Sequence, residues 1–192
     1  LGGYFGPLLE RYAEQLEITV TDADIEQYKQ AMSRSAERQR KKYQTMAGSL
    51  EKELQAKNLD DDVRDELTEQ FEMYTRLIKH GEESKELFQG DINPITGTVF
   101  RQVIRQWKIN QHLYKQYGGR VIFQQAGPEP LDAYRKFLEE REQRGDFEFY
   151  NEPAADLFWE YYRKDKMHTS AYDVAEAEKL METPWWLQAS EE

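Results

Sequence analysis

Apolar residues recur at helical spacing along most of this 192-residue chain, and strand-like alternation is confined to two short stretches. Leu8, Leu9, Tyr12 and Leu16 give a first stripe, with Pro7 suited to a helix's first turn. Thr21-Asp-Ala-Asp then resembles a capping box, a Thr with an acid three residues on. Ile25, Tyr28 and Met32 form the core stripe of the helix it opens. Past Met32 the next positions are Ser35 and Gln39 and the stripe fades. Gly48 predicts an interruption, after which Leu50 and Leu54 resume the pattern. Asn58-Leu-Asp-Asp-Asp reads as a turn and a new cap, and Val63, Leu67, Phe71, Tyr74 and Ile78 then share one face. His80-Gly81 reads as the stop. Residues 22–56 and 61–80 are therefore expected to form a helical hairpin, with a short helix over 82–88 and a loop from Gly90 to Thr98.

The stretch VFRQVIRQWKINQHLYKQY, residues 99–117, organises the C-terminal half of the chain. Phe100, Val103, Trp107, Tyr114 and Tyr117 lie on one helical face, and Arg101, Arg105, Lys108, His112 and Lys115 on another. Gly118-Gly119 ends this helix. Residues 120–124 are β-branched and aromatic, and Phe147 and Phe149 alternate with polar neighbours, so 120–124 and 146–150 are expected to pair as strands. Ala126-Gly-Pro-Glu-Pro between them reads as a rigid turn. Leu131, Tyr134, Phe137 and Leu138 form a core face. Asp132, Glu139, Glu140 and Glu142 form an acidic one, expected to lie against the cationic face of the central helix. Further helices start at Pro153 and Tyr172. The fold class expected is mainly α, a helical bundle of about seven helices with one small two-stranded sheet in the C-terminal half. Residues 1–90 form a hairpin region and 91–192 an aromatic-rich helical region, packed as one unit.

Composition narrows the function classes. Twelve Tyr, nine Phe and four Trp supply bulk for a core despite 33 % charged residues, so the chain reads as folded. A net charge of −11 opposes nucleic-acid or anionic-membrane binding, which need clustered cations. No apolar run reaches the roughly 20 residues of a spanning helix. With no cysteine, thiol catalysis, disulfides and Cys-ligated zinc are excluded. Absence of Cys fits an exported protein, with a cytoplasmic one as the alternative. The opening LGGYFGP, without Met, reads as a processed product or a trimmed chain.

Few residues point to chemistry. His80, His112 and His168 have no partner at metal-binding spacing, and HExxH, phosphate-binding glycine loops and GxSxG are all missing. No cofactor or metal is expected, and the reading leans away from an enzyme. Asp60, Asp61 and Asp62 suit a helix N-terminus better than a calcium loop. Asn110 lies on the apolar stripe, three residues after Trp107 and four before Tyr114. Once buried, it must find hydrogen-bond partners. Trp107, Tyr114, Phe123, Trp159, Tyr161, Tyr162, Trp185 and Trp186 all fall in the C-terminal half, and such aromatics serve either cores or interfaces.

The segment ITVTDADIEQYKQAM joins an extended lead-in, a capping Thr, first-turn acids and a long amphipathic helix. Over residues 18–71 it resembles the N-terminal helical region of SurA-type periplasmic chaperones and parvulin-type prolyl isomerases. The resemblance implies an exported, periplasmic, non-enzymatic helical module that binds unfolded chains. No parvulin domain and no catalytic isomerase residues accompany it.

The expected function is therefore a chaperone-like or adaptor-like module binding a protein or peptide. Its aromatic groove would be lined by Trp107, Asn110, Tyr114, Phe123, Trp159 and Tyr162, with Arg101, Arg105 and Lys108 at the rim. One alternative is an enzyme or small-ligand carrier with a site around Asn110, His112 and Tyr162. Another is a structural subunit of a larger assembly, a homo-oligomer included.

Overall fold

The computed structural model describes residues 2–91, 93–124, 127–163 and 173–188. The fold is mainly α: eight helices and one two-stranded antiparallel sheet among the described residues. His168 and the start of the last expected helix, at Tyr172, lie outside them. The helices are α1 (Gly2–Gln15), α2 (Asp22–Leu54), α3 (Asp61–Gln89), α4 (Pro94–Tyr117), α5 (Leu131–Gln143), α6 (Glu152–Arg163), α7 (Val174–Glu182) and α8 (Trp185–Gln188). Strands β1 (Ile122–Gln124) and β2 (Gly127–Glu129) lie between α4 and α5.

The chain divides differently from the expected boundary at residue 90. One compact unit joins Leu1–Asp22 with Thr98–Gln188, and Ala23–Gly97 belong to the other. Residues that share a core set such a division, and α1 shares its core with α4, α5 and α6. Tyr12 and Ala13 pack in one cluster with Ile109, Leu113, Phe137, Leu138, Phe158, Trp159 and Tyr162. The Tyr12 and Phe137 rings meet edge-on with centroids 5.0 Å apart.

The sheet also differs from expectation. Ile122 pairs with Glu129 and Gln124 with Gly127, so residues 127–129, read as a turn, form the second strand. Closing so short a loop costs far less chain entropy than reaching to residue 146. Gly127, at φ 109°, takes a conformation open only to glycine here, since an added Cβ would stand 2.5 Å from Trp185 Nε1. Pro128 is tolerated because a two-stranded sheet has an unpaired edge. Residues 146–150 form no strand. Phe147 and Phe149 instead turn their rings onto Phe5 and Phe158, at centroid distances of 5.1 and 5.2 Å. The alternation was real, but it filled a core and not a ladder.

The other unit is a two-helix hairpin in which the helices pass straight through both predicted interruptions, Gly48 and Gly81. Asp60 caps α3 as the sequence implied, accepting from the Asp62 N–H at 3.1 Å. Gly81 sits where α2 comes close: a Cβ there would lie 3.4 Å from Arg40 Cβ. The stripe that fades after Met32 does not end but changes face. Lys29, Ser33, Ala36, Arg40, Tyr43, Ala47, Leu50 and Leu54 are all buried or half-buried, at alternating spacings of four and three. On α3 the half-buried Arg64, Leu67, Phe71, Tyr74, Ile78, Gly81, Lys85 and Phe88 alternate three and four. Both series repeat every seven residues, which is the period of a coiled coil. Tyr43 meets Tyr74 at 5.9 Å, and Tyr28 meets Phe88 at 6.5 Å. Arg40 and Lys85 stand in the seam itself and converge on Glu37, Arg40 Nη2 at 2.8 Å and Lys85 Nζ at 3.0 Å. Those hydrogen bonds, Arg40's first, hold the Glu37 carboxyl down at about 2.

Candidate functional site

Helix α4 carries the chemistry of its unit on three faces, and each has a different neighbour. Its cationic face meets α1 and the segment leading into α2, not the acidic face of α5. Arg105 pairs with Glu10 at 2.6 Å and Arg101 with Asp22 at 3.1 Å. Lys108 donates to the Thr19 carbonyl at 2.9 Å. The acids of α5 are engaged elsewhere. Asp132 accepts from the Arg120 backbone N–H and side chain at 2.8–2.9 Å. Burial raises the Asp132 pKa, but those bonds outweigh it and leave the carboxyl below its ordinary range. Glu140 accepts from Tyr117, whose hydroxyl is pushed up to about 12 by burial and by that bond. Glu139 pairs with Arg163.

The second face holds the aromatics. Trp107 is buried, edge-on to Trp186 at 5.7 Å, with its indole N–H on the Leu180 carbonyl at 3.4 Å. Tyr114 packs half-buried on Val121, Ala177 and Met181. Phe123 is exposed and lies edge-on to Trp185 at 6.3 Å. Trp159 and Tyr162 belong to the core cluster with Phe158. These five aromatics do not line one groove. Trp107, Tyr114 and Phe123 seat α7 and α8, whereas Trp159 and Tyr162 fasten α6 to the main core. Burial of Trp107, Trp159 and most of Tyr114 stabilises the fold and leaves those rings little to offer a ligand.

The third face is polar and closed. Asn110 is buried and donates from Nδ2 to the Pro128 carbonyl at 2.8 Å, tying α4 to β2. Its Oδ1 accepts from the Tyr134 hydroxyl at 2.7 Å and from Gln106 Nε2 at 2.9 Å, and Gln106 reaches the same hydroxyl at 2.6 Å. Every polar atom of the Asn110 side chain is satisfied, and a fully satisfied buried network fixes one packing. Burial drives the Tyr134 hydroxyl well above its ordinary range, so it stays a neutral donor.

This network forms the wall of a cleft of about 670 Å³. Gln124, Glu129, Tyr161 and Tyr162 line it with Asn110 and Gln106. Burial and the nearby Glu129 carboxylate raise the Tyr161 hydroxyl to about 12 and push Tyr162 up as well. A second, more apolar furrow of about 850 Å³ adjoins it, lined by Ile18, Val20, Val103 and Ile109 together with Arg101 and Arg105. The two concavities share Glu10, Gln106 and Ile109. Of the residues singled out by sequence, Asn110 and Tyr162 line the cleft and Arg101 and Arg105 line the furrow. Lys108 and His112 line neither. Gln106, Gln124 and Glu129 gave no sequence signal beyond the spacing of Gln106 four residues before Asn110. Tyr161 was visible only as one aromatic among many. Among the described residues no cluster of three or more His, Asp or Glu could hold a metal ion.

Compared with known proteins, the chain matches no protein-family model, no curated protein and no solved structure.

Proposed function

We propose that the chain is a non-enzymatic binding module that holds an extended stretch of another protein along the α1–α4 furrow and the adjoining cleft. One observation carries this reading: the two concavities meet at Glu10, Gln106 and Ile109. An apolar trough thereby runs on into a site of amides, phenols and a carboxylate. An extended peptide needs that combination, apolar floor for alternate side chains and polar groups for its backbone. Arg101 and Arg105, which line the furrow, steer encounter more than they add affinity. The chaperone-like and periplasmic parts of the proposal come from the resemblance of residues 18–71.

A second reading, a small-ligand carrier, draws on the cleft alone, where Asn110 and Tyr162 meet Glu129. Val103, half-buried in the furrow, separates the two. Peptide-array binding should be reduced roughly tenfold or more by Val103→Glu, which sets a carboxylate where an apolar side chain would dock, while leaving the circular-dichroism melt nearly unchanged. If no peptide binds the native protein above background, the peptide reading fails. If Tyr161→Ala abolishes binding of small amines or amides while Val103→Glu is silent, the carrier reading replaces it.

A further inference from the structure

The hairpin of α2 and α3 has two unlike flanks. In an antiparallel coiled coil, the positions just before and just after the seam residues fall on opposite flanks. On one flank stand Glu37 and Glu82, both engaged by Arg40. The other flank carries Met46, Val63 and Leu77, with Met73 and Leu87 one helical turn outward. Met46, Val63, Met73 and Leu87 are 38–48 % exposed, an apolar row on a coil whose α3 buries no residue fully.

Charge along the same hairpin is banded. Residues 47–72, the distal half, carry nine acidic and three basic side chains, a net −6. Residues 34–46 and 73–82, the middle band, carry seven basic and two acidic, a net +5. Met46 and Met73 lie at the same level of the hairpin, at the border between the bands.

We propose that this flank is a homodimer interface, in which two hairpins pack antiparallel about a two-fold axis passing beside Met46 and Met73. An isologous contact must be self-complementary, and only the antiparallel arrangement sets each acidic tip against the other copy's basic band. It brings Lys42 and His80 of one copy to the level of Glu53 and Glu66 of the second. The overlap is about 35 Å long and about 20 Å wide, roughly 700 Å² per copy, close to the size of a standard specific interface. Parallel pairing would place tip on tip and band on band, like charges throughout.

The test is sedimentation of the full chain. A dimer is expected at low salt at roughly 100 µM, weakening as salt screens the bands. Met46→Glu should yield monomer with unchanged helical circular dichroism. Lys42→Glu and Glu53→Lys should each weaken the dimer about tenfold, and the double variant should recover it. The chain has no cysteine, so Met46→Cys should oxidise to a covalent dimer, and Gln55→Cys, far from the axis, should not. A monomer at every concentration overturns the proposal. So does equal cross-linking at positions 46 and 55, or a double charge swap that fails to restore association.

Discussion

The two units of this chain reach stability by opposite routes. In the unit built from α1 and α4–α8, large rings and aliphatic side chains fill a shared volume, and one buried polar network has every member satisfied. In the hairpin, the seam mixes Ser, Ala and Gly with four aliphatics, a few aromatics, and charged groups such as Arg40 and Lys85. The first is fixed by shape in three dimensions. The second is fixed by a repeat in one dimension, where each heptad contributes a little and no residue is indispensable. The difference predicts that like substitutions act unlike in the two places.

Glycine to alanine gives the widest separation. At Gly119 the φ is 99° and an added Cβ would overlap Asp132 Cβ, on the side chain that also holds Arg120. Gly119→Ala should cost about 3 kcal/mol or more, read as a lowered denaturation midpoint. At Gly81 the backbone is helical and the nearest atom, Arg40 Cβ, is at contact distance. There the same change should stabilise by about 0.5–1 kcal/mol. Opposite signs would uphold the contrast, and equal signs would break it.

Asn110→Leu probes the satisfied network. It strands the Pro128 carbonyl and leaves Tyr134 and Gln106 bonded only to each other, so stability should fall by about 2–3 kcal/mol. Hydrogen exchange should show the loss spreading through α4, β2 and α5 while hairpin amides keep their protection.

Acidity and alkalinity offer the mildest probe. Glu37 titrates near 4.5 in an unfolded chain and at about 2 in the hairpin. Its contribution is therefore present above about 4.5 and lost as pH falls towards 2. Tyr117 and Tyr161 shift the other way, from 10 to about 12. Their contribution is complete below pH 10 and disappears as pH climbs through 12. Acid titration monitored by helical signal should loosen the hairpin, and alkaline titration monitored by tyrosinate absorbance should open the aromatic unit.

The same contrast explains what could be read in the sequence. Helices α2 to α6 were legible, with the core face of α5, because apolar residues at 3.6-residue spacing mark them. The hairpin's seam between Met32 and Leu50 was not, because its core positions there are Ser33, Ala36, Arg40, Tyr43 and Ala47. A heptad of small and charged residues is invisible to a search for hydrophobic stripes. Gly48 and Gly81 misled for a related reason: glycine that admits a neighbouring helix looks the same in sequence as glycine that ends one. The place of α1 was hidden because its partners are about a hundred residues away. Asn110 was legible as a polar residue on an apolar face. Its partners Gln106, Tyr134 and Pro128 were not, since three elements bring them together.

Splitting one unit around the other has a consequence for biosynthesis. Tyr12 and Ala13 leave the ribosome long before Ile109, Phe137 and Phe158 exist, so α1 must wait without its core. The hairpin is complete in the meantime and needs only local contacts, so it is expected to fold first, which pulse-labelled hydrogen exchange during refolding would show as early protection confined to α2 and α3. Once zipped, it replaces about 75 residues of slack chain between Asp22 and Thr98 with a staple that brings its own ends together. On a logarithmic loop-closure scale that lowers the entropy cost of joining α1 to its partners by about 1 kcal/mol. The Arg101–Asp22 ion pair marks the point where the departing and returning chain are clasped. On that expectation, the hairpin shortens the search of the unit into which it is inserted.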